Sequence, residues 1–65
     1  MVDGYYKAVC AELKKLGFIY ERNAKGSHEK WLNRDSGQTL VVPRNLFSRY
    51  TANNILKDAG STRRF

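Results

Sequence analysis

The hydrophobic period of the chain switches at Gly17, and this switch restricts the fold more than any other feature. Before it, Tyr6, Val9, Leu13 and Leu16 recur at i, i+3, i+7 and i+10, which is one face of a 3.6-residue repeat. The spacing predicts a helix over about 3–16. Asp3 is placed to cap its first turn, Lys14 and Lys15 sit at the negative end of its dipole, and Gly17 can end it in a left-handed conformation. After Gly17 the period is two, as half-buried strands require.

Strands are expected over 18–23, 28–33 and 38–42, separated by the small and polar turns 23–27 and 34–37. Pro43 is expected to stop the third strand, because it cannot donate to a ladder. Short loops between successive strands imply an antiparallel meander. An irregular basic and aromatic stretch over 44–50 follows. Thr51 then reads as the N-cap of a last helix over 52–59, with Ile55, Leu56 and Ala59 as its buried stripe, Gly60 as its terminator and 61–65 as a basic tail, frayed or ordered only by a partner. The expected class is α+β, in the order α-β-β-β-α, with a three-stranded antiparallel sheet and both helices on one face. That arrangement hides both apolar stripes in one layer.

At 65 residues the chain is one domain, 1–65, with a thin core. Leu, Ile, Val and Phe supply 15 of those residues, above the roughly 20% below which chains tend to stay disordered. The length excludes a two-domain enzyme with a cleft between its halves. Twelve Lys and Arg against six Asp and Glu leave a net charge of +6, and a positive field of that strength on so small a surface favours nucleic acid or an acidic protein as partner. A membrane is the weakest alternative, since no apolar run approaches the roughly 20 residues of a spanning helix. Residues 1–4 lack the basic and apolar regions of a signal peptide. The one cysteine, Cys10, cannot form an internal disulfide and reads as a small core residue. A reducing compartment, the cytoplasm, is therefore expected.

One His, one Cys and scattered acids are too few ligands for a metal site, so neither metal nor cofactor is expected. The group that could carry chemistry is Lys25-Gly26-Ser27-His28, running into Lys30. Gly26 and Ser27 let the backbone turn sharply and set His28 at the mouth of a strand. Imidazole titrates near neutral pH unaided, which suits proton transfer at a ribose 2′-hydroxyl. Lys25 and Lys30, which flank His28, can hold a phosphate and stabilise charge growing on it. A lone histidine in a small protein is, however, most often a surface or capping residue. Tyr20 and Trp31 could stack on bases or fill the core. Alternation puts Trp31 on the face opposite His28, Lys30 and Leu32.

Taken together, the pieces resemble the HicA-type toxins of bacterial toxin–antitoxin modules. They are a short helix, Gly17-Phe18 opening a strand, Gly26-Ser27-His28 opening the next, Asp35-Ser36-Gly37, Val41-Val42-Pro43, and Ile55 to Gly60 in the last helix. The order, spacing and total length carry the likeness. It implies a fold like that of double-stranded-RNA-binding domains. It also implies metal-independent cleavage of mRNA, inhibiting translation, with His28 as the catalytic residue and Lys25, Gly26, Ser27, Lys30 and Arg44 around the RNA. The implied protein partner is a HicB-type antitoxin covering the His28 region, with the toxin monomeric alone and hetero-oligomeric with its antitoxin. Two stretches depart from the family pattern. Glu29-Lys30 follows His28 where a second histidine and an aliphatic are common, and Arg44-Asn45 follows Pro43 where histidine is common.

Two other classes fit the same charge. A non-catalytic double-stranded-RNA-binding module would carry basic residues at the start of its last helix, where 51–54 are uncharged. A basic protein-interaction domain would meet an acidic partner and no RNA.

Overall fold

The computed structural model describes residues 4–65, so the expected Asp3 cap lies outside the described residues. The chain forms α1 (Tyr6–Lys15), β1 (Phe18–Asn23), β2 (His28–Asn33), β3 (Thr39–Pro43) and α2 (Arg49–Asp58). The strands pair antiparallel in the order β1-β2-β3. Helix α1 packs on β1, α2 on β3, and the helices on each other.

Burial alternates as the pleat requires. Leu40 and Val42 of β3 and Glu29 and Trp31 of β2 point to the helices, while Val41 and His28 point away. With Phe18 the apolar members of that inner set meet Val9, Cys10 and Leu13 of α1 and Ala52, Ile55 and Leu56 of α2 in one cluster, closed by Leu46. Each large side chain buried there contributes about 1.5–3 kcal/mol.

Asn33 joins the first helix to the second hairpin. Its Nδ2 donates to the Leu16 carbonyl at 3.2 Å, satisfying an orphan group at the end of α1. Its Oδ1 accepts from the N–H groups of Asp35 and Ser36, the turn chemistry expected of Asn. Gly17 has φ +95° and turns the chain from α1 into β1.

Four boundaries differ from the sequence expectation. Helix α1 starts at Tyr6, with Tyr5 before it making no side-chain cap. Strand β3 is shifted by one residue and includes Pro43, which pairs opposite His28. On the last residue of an edge strand the missing N–H costs no ladder bond. Helix α2 starts a turn early, at Arg49, because Ser48 rather than Thr51 is its N-cap. Ser48 Oγ accepts from the Thr51 N–H at 3.2 Å. Both hydroxyls could cap, but the earlier start puts Thr51 inside the first turn, with Ala52 next to it seated in the core.

The fourth difference is the tail, which is packed rather than frayed. The Ser61 N–H reaches back to the Leu56 carbonyl at 2.9 Å across Gly60 at φ +88°, closing α2 in a Schellman turn. Arg63 pairs with Glu12 at 3.7 Å and lies over the Phe65 ring, which rests 4.8 Å from Tyr5. The Phe65 N–H donates to Asn53 Oδ1. The tail thus folds across the ends of both helices, held by apolar and charged contacts that composition does not reveal.

Candidate functional site

The turn before β2 is built by its own backbone. The Ala24 N–H donates to the His28 carbonyl at 2.8 Å and the His28 N–H to the Lys25 carbonyl at 3.0 Å, with Gly26 at φ +58° between them. The Arg44 N–H donates to the Ser27 carbonyl at 2.8 Å. The turn and the segment leaving β3 are thereby locked side by side. Lys25, Gly26, Ser27 and His28 are all exposed at this corner.

The two remaining site candidates diverge. Lys30 shares the outer sheet face with His28 but forms an ion pair with Glu21 at 3.7 Å, so part of its charge is already offset. Arg44 turns its guanidinium to the inner side, where Nε lies 3.6 Å from Glu29 Oε2. The structure therefore gathers the backbone of Ser27, His28 and Arg44 at one corner while sending their side chains to two faces. The outer face also exposes Ile19 and Val41, 41% and 54% accessible.

On the inner side an open groove of about 600 Å³ runs between α1 and the β1 edge of the sheet. Glu29 forms part of it and is 5% exposed. Tyr6 Oη donates to Glu29 Oε1 at 2.7 Å and Trp31 Nε1 donates to the same oxygen at 3.1 Å. A buried carboxylate needs such partners, and here α1, β2 and the Arg44 segment each supply one. Burial, and then the bond to Glu29, push the Tyr6 phenol well above its ordinary range. Burial also pushes the Cys10 thiol up, which keeps it un-ionised and unsuited to nucleophilic attack.

A bulge sets the other wall. The register of β1 slips between Tyr20 and Arg22, so that Tyr20 lies opposite Trp31 and Asn23 opposite Glu29. Three residues apart, Tyr20 and Asn23 would face opposite sides of a regular strand. The extra residue brings both to the groove, and Tyr20 Oη donates to Asn23 Oδ1 at 2.8 Å. Trp31 is core, 3% exposed, whereas Tyr20 remains 47% exposed with its ring edge-on to the indole.

Glu29 is the residue that sequence reasoning passed over. Its signal was available: the alternation that turns Trp31 inward turns Glu29 inward as well. A charged residue at an inward position marks either a network or a site. Among the described residues, no three His, Cys, Asp or Glu side chains gather as metal ligands could. Nor is any helix there long and apolar enough to cross a membrane.

The family model for the HicA toxin of bacterial toxin–antitoxin systems matches residues 6–61. The chain belongs to the HicA toxin family. It is accordingly the toxin of a toxin–antitoxin system, and a cognate antitoxin is the partner that membership implies. The matched span runs from the first residue of α1 through the turn that closes α2, and so contains the His28 corner and the groove of this HicA-family domain. Comparisons with curated proteins and with solved structures give no match.

Proposed function

We propose that this HicA-family toxin is a metal-independent endoribonuclease that cleaves mRNA with His28 as its catalytic residue. The observation that carries the reading is the exposed His28 side chain at a rigid, hydrogen-bonded corner between the Lys25 turn and Arg44. In the reaction, the imidazole takes the proton of a ribose 2′-hydroxyl. The 2′ oxygen attacks the neighbouring phosphorus and the bond to the 5′ oxygen breaks. The products are a 2′,3′-cyclic phosphate and a 5′-hydroxyl end, the leaving oxygen gaining its proton from water or from Lys25. Lys25 attracts the phosphate, and positive charge near it stabilises the transition state; Arg44, whose guanidinium turns to the inner face beside Glu29, acts on it only from a distance. Lys30 contributes less, being paired with Glu21. Val41, opposite Lys30, and Ile19, opposite Leu32 further along the sheet, are exposed on the face that carries His28 and offer the antitoxin an apolar surface from which to cover the site.

The test is cleavage of a labelled mRNA in EDTA by wild type and by His28→Ala. Because the side chain is exposed, the variant should fold normally and lose about 10²–10⁴ in rate. Equal cleavage by both proteins would overturn the assignment. RNA retained by both without cleavage would favour a binding module, a reading aided by Arg49 in the first turn of α2. Protection of about 16 base pairs in footprinting is that module's signature.

A further inference from the structure

We propose that the groove between α1 and β1 is a pocket for one unpaired guanine base of the bound RNA, read by Glu29 and Asn23. The inference rests on the proposal that the domain handles RNA, and it adds a base preference at a place separate from the His28 side chain.

The floor carries the argument. Glu29 Oε1 is occupied by the Tyr6 hydroxyl and the Trp31 indole. Among the described residues, Oε2 meets only Arg44 Nε, at 3.6 Å, which is long for a hydrogen bond. An ionised carboxylate has about four acceptor positions, so the oxygen at the groove keeps capacity for N–H donors. Directly across the strand pair stands Asn23, at the spacing where opposed side chains act on one group. Its Oδ1 is taken by Tyr20 Oη, and among the described residues its amide N–H₂ is left to donate. A donor beside an acceptor oxygen with open positions matches the O6, N1–H and N2–H edge of guanine, which can make three bonds there. Adenine can donate N6–H to Glu29 and accept at N1 from Asn23, so it makes two and lacks the second donor.

The remaining features agree. Tyr20 offers a half-exposed ring at the wall, and aromatic rings stack on bases of any kind. Lys7, Lys14 and Arg44 line the groove. Those cations repel a positively charged side chain from a partner protein and attract the phosphates flanking a base. A volume of about 600 Å³ lies within the roughly 300–1,000 Å³ of small-ligand sites. Arg44 connects the groove to the proposed cleavage corner, its backbone bonded to Ser27 and its guanidinium beside Glu29.

The experiment uses the full chain carrying His28→Ala, so that RNA is bound and not cut. Fluorescence anisotropy would compare labelled heptauridylates whose central base is replaced by guanine, inosine or adenine. The guanine oligonucleotide should bind at least about tenfold more tightly than the adenine one, the scale of one good bidentate base contact. Inosine, which lacks the N2 amino group and so also makes two bonds, should bind at about the adenine level. Added Glu29→Gln should bring guanine down to the adenine level. Asn23→Asp, at an exposed position that tolerates change, should do the same by placing a second carboxylate against O6. Tyr20→Ala should weaken all three alike. Equal binding of guanine and adenine, or a preference surviving both groove substitutions, overturns the pocket and leaves the RNA reading intact. Failure of every oligonucleotide to bind at low salt overturns both.

Discussion

Tyr6 Oη and Glu29 Oε1 lie 2.7 Å apart and tie the first turn of α1 to the centre strand of the sheet. The bond spans 23 residues of sequence and sits at the inner end of the groove. It explains how a charged side chain is held in a domain with so little core: the phenol, the indole of Trp31 and the guanidinium of Arg44 each meet it.

Glu29→Ala should therefore be strongly destabilising. It strands the buried indole N–H of Trp31 and the part-buried hydroxyl of Tyr6, at about 1–3 kcal/mol for a fully buried unsatisfied group and less for a part-buried one. In a domain of this size each kcal/mol moves the melting temperature by roughly 4–8 °C. Thermal unfolding followed by circular dichroism should show a fall of about 10 °C or more. Glu29→Gln keeps an acceptor and should fall by less. An alanine variant melting with wild type would show that the network contributes nothing to stability.

Tyr6 predicts the alkaline limb of the stability curve. Its folded phenol is raised above the ordinary value of about 10 by burial and by the bond to Glu29. Above that pH the unfolded chain releases a proton that the native chain keeps. The native state then binds more protons, and stability falls as pH rises. The contribution is complete below about pH 10 and is lost progressively above it. Tyr6→Phe should cost about 1 kcal/mol at pH 7, and the gap to wild type should narrow above pH 10. Urea midpoints measured from pH 7 to 11 check this, and a constant gap would refute it.

The element order was legible because period and turn chemistry agree at every junction. Gly17, Gly26, Gly37 and Gly60 all take positive φ where the pattern breaks, and no buried element has to override its local preference. What escaped the sequence depends on contacts between distant segments. The bulge at Glu21 is one case, since nothing in Tyr20-Glu21-Arg22 distinguishes it from a regular alternating run, and so the pairing of Tyr20 with Asn23 was hidden. The tail is another. Ser61, Arg63 and Phe65 are ordered by Glu12, Asn53 and Tyr5, and a basic pentapeptide read alone has no such partners. At the site, Gly26-Ser27-His28 could be read directly, whereas the inward turn of Arg44 toward Glu29 could not.

The packed tail gives a third expectation. Phe65→Ala removes the ring that rests on Tyr5 and under Arg63. As the ring is only half buried, the loss should be about 1–2 kcal/mol, below the 3–5 typical of a core Phe. Arg63→Ala should cost less than about 1 kcal/mol, because its pair with Glu12 is partly solvated. Denaturant midpoints separate the two, and a Phe65→Ala protein as stable as wild type would mean that the tail is held without its ring.

Gly26 allows a separation of backbone geometry from packing at the proposed cleavage corner. It has φ +58°, and a Cβ added there would meet nothing within 4 Å among the described residues, so the effect of substitution arises from the left-handed backbone and not from a clash with them. That conformation costs an ordinary residue about 1–2 kcal/mol, and Asn tolerates it best. Gly26→Asn should therefore stay close to wild type in stability and in RNA cleavage. Gly26→Val, whose branched side chain fits the conformation worst, should relieve its strain by opening the turn that holds Ser27 and His28. It should lose cleavage more than it loses melting temperature, since the turn is exposed while the core beneath it is intact. Parallel measurement of both quantities for the two variants decides the point, and a Gly26→Val protein with full activity would show that the turn conformation does not position His28.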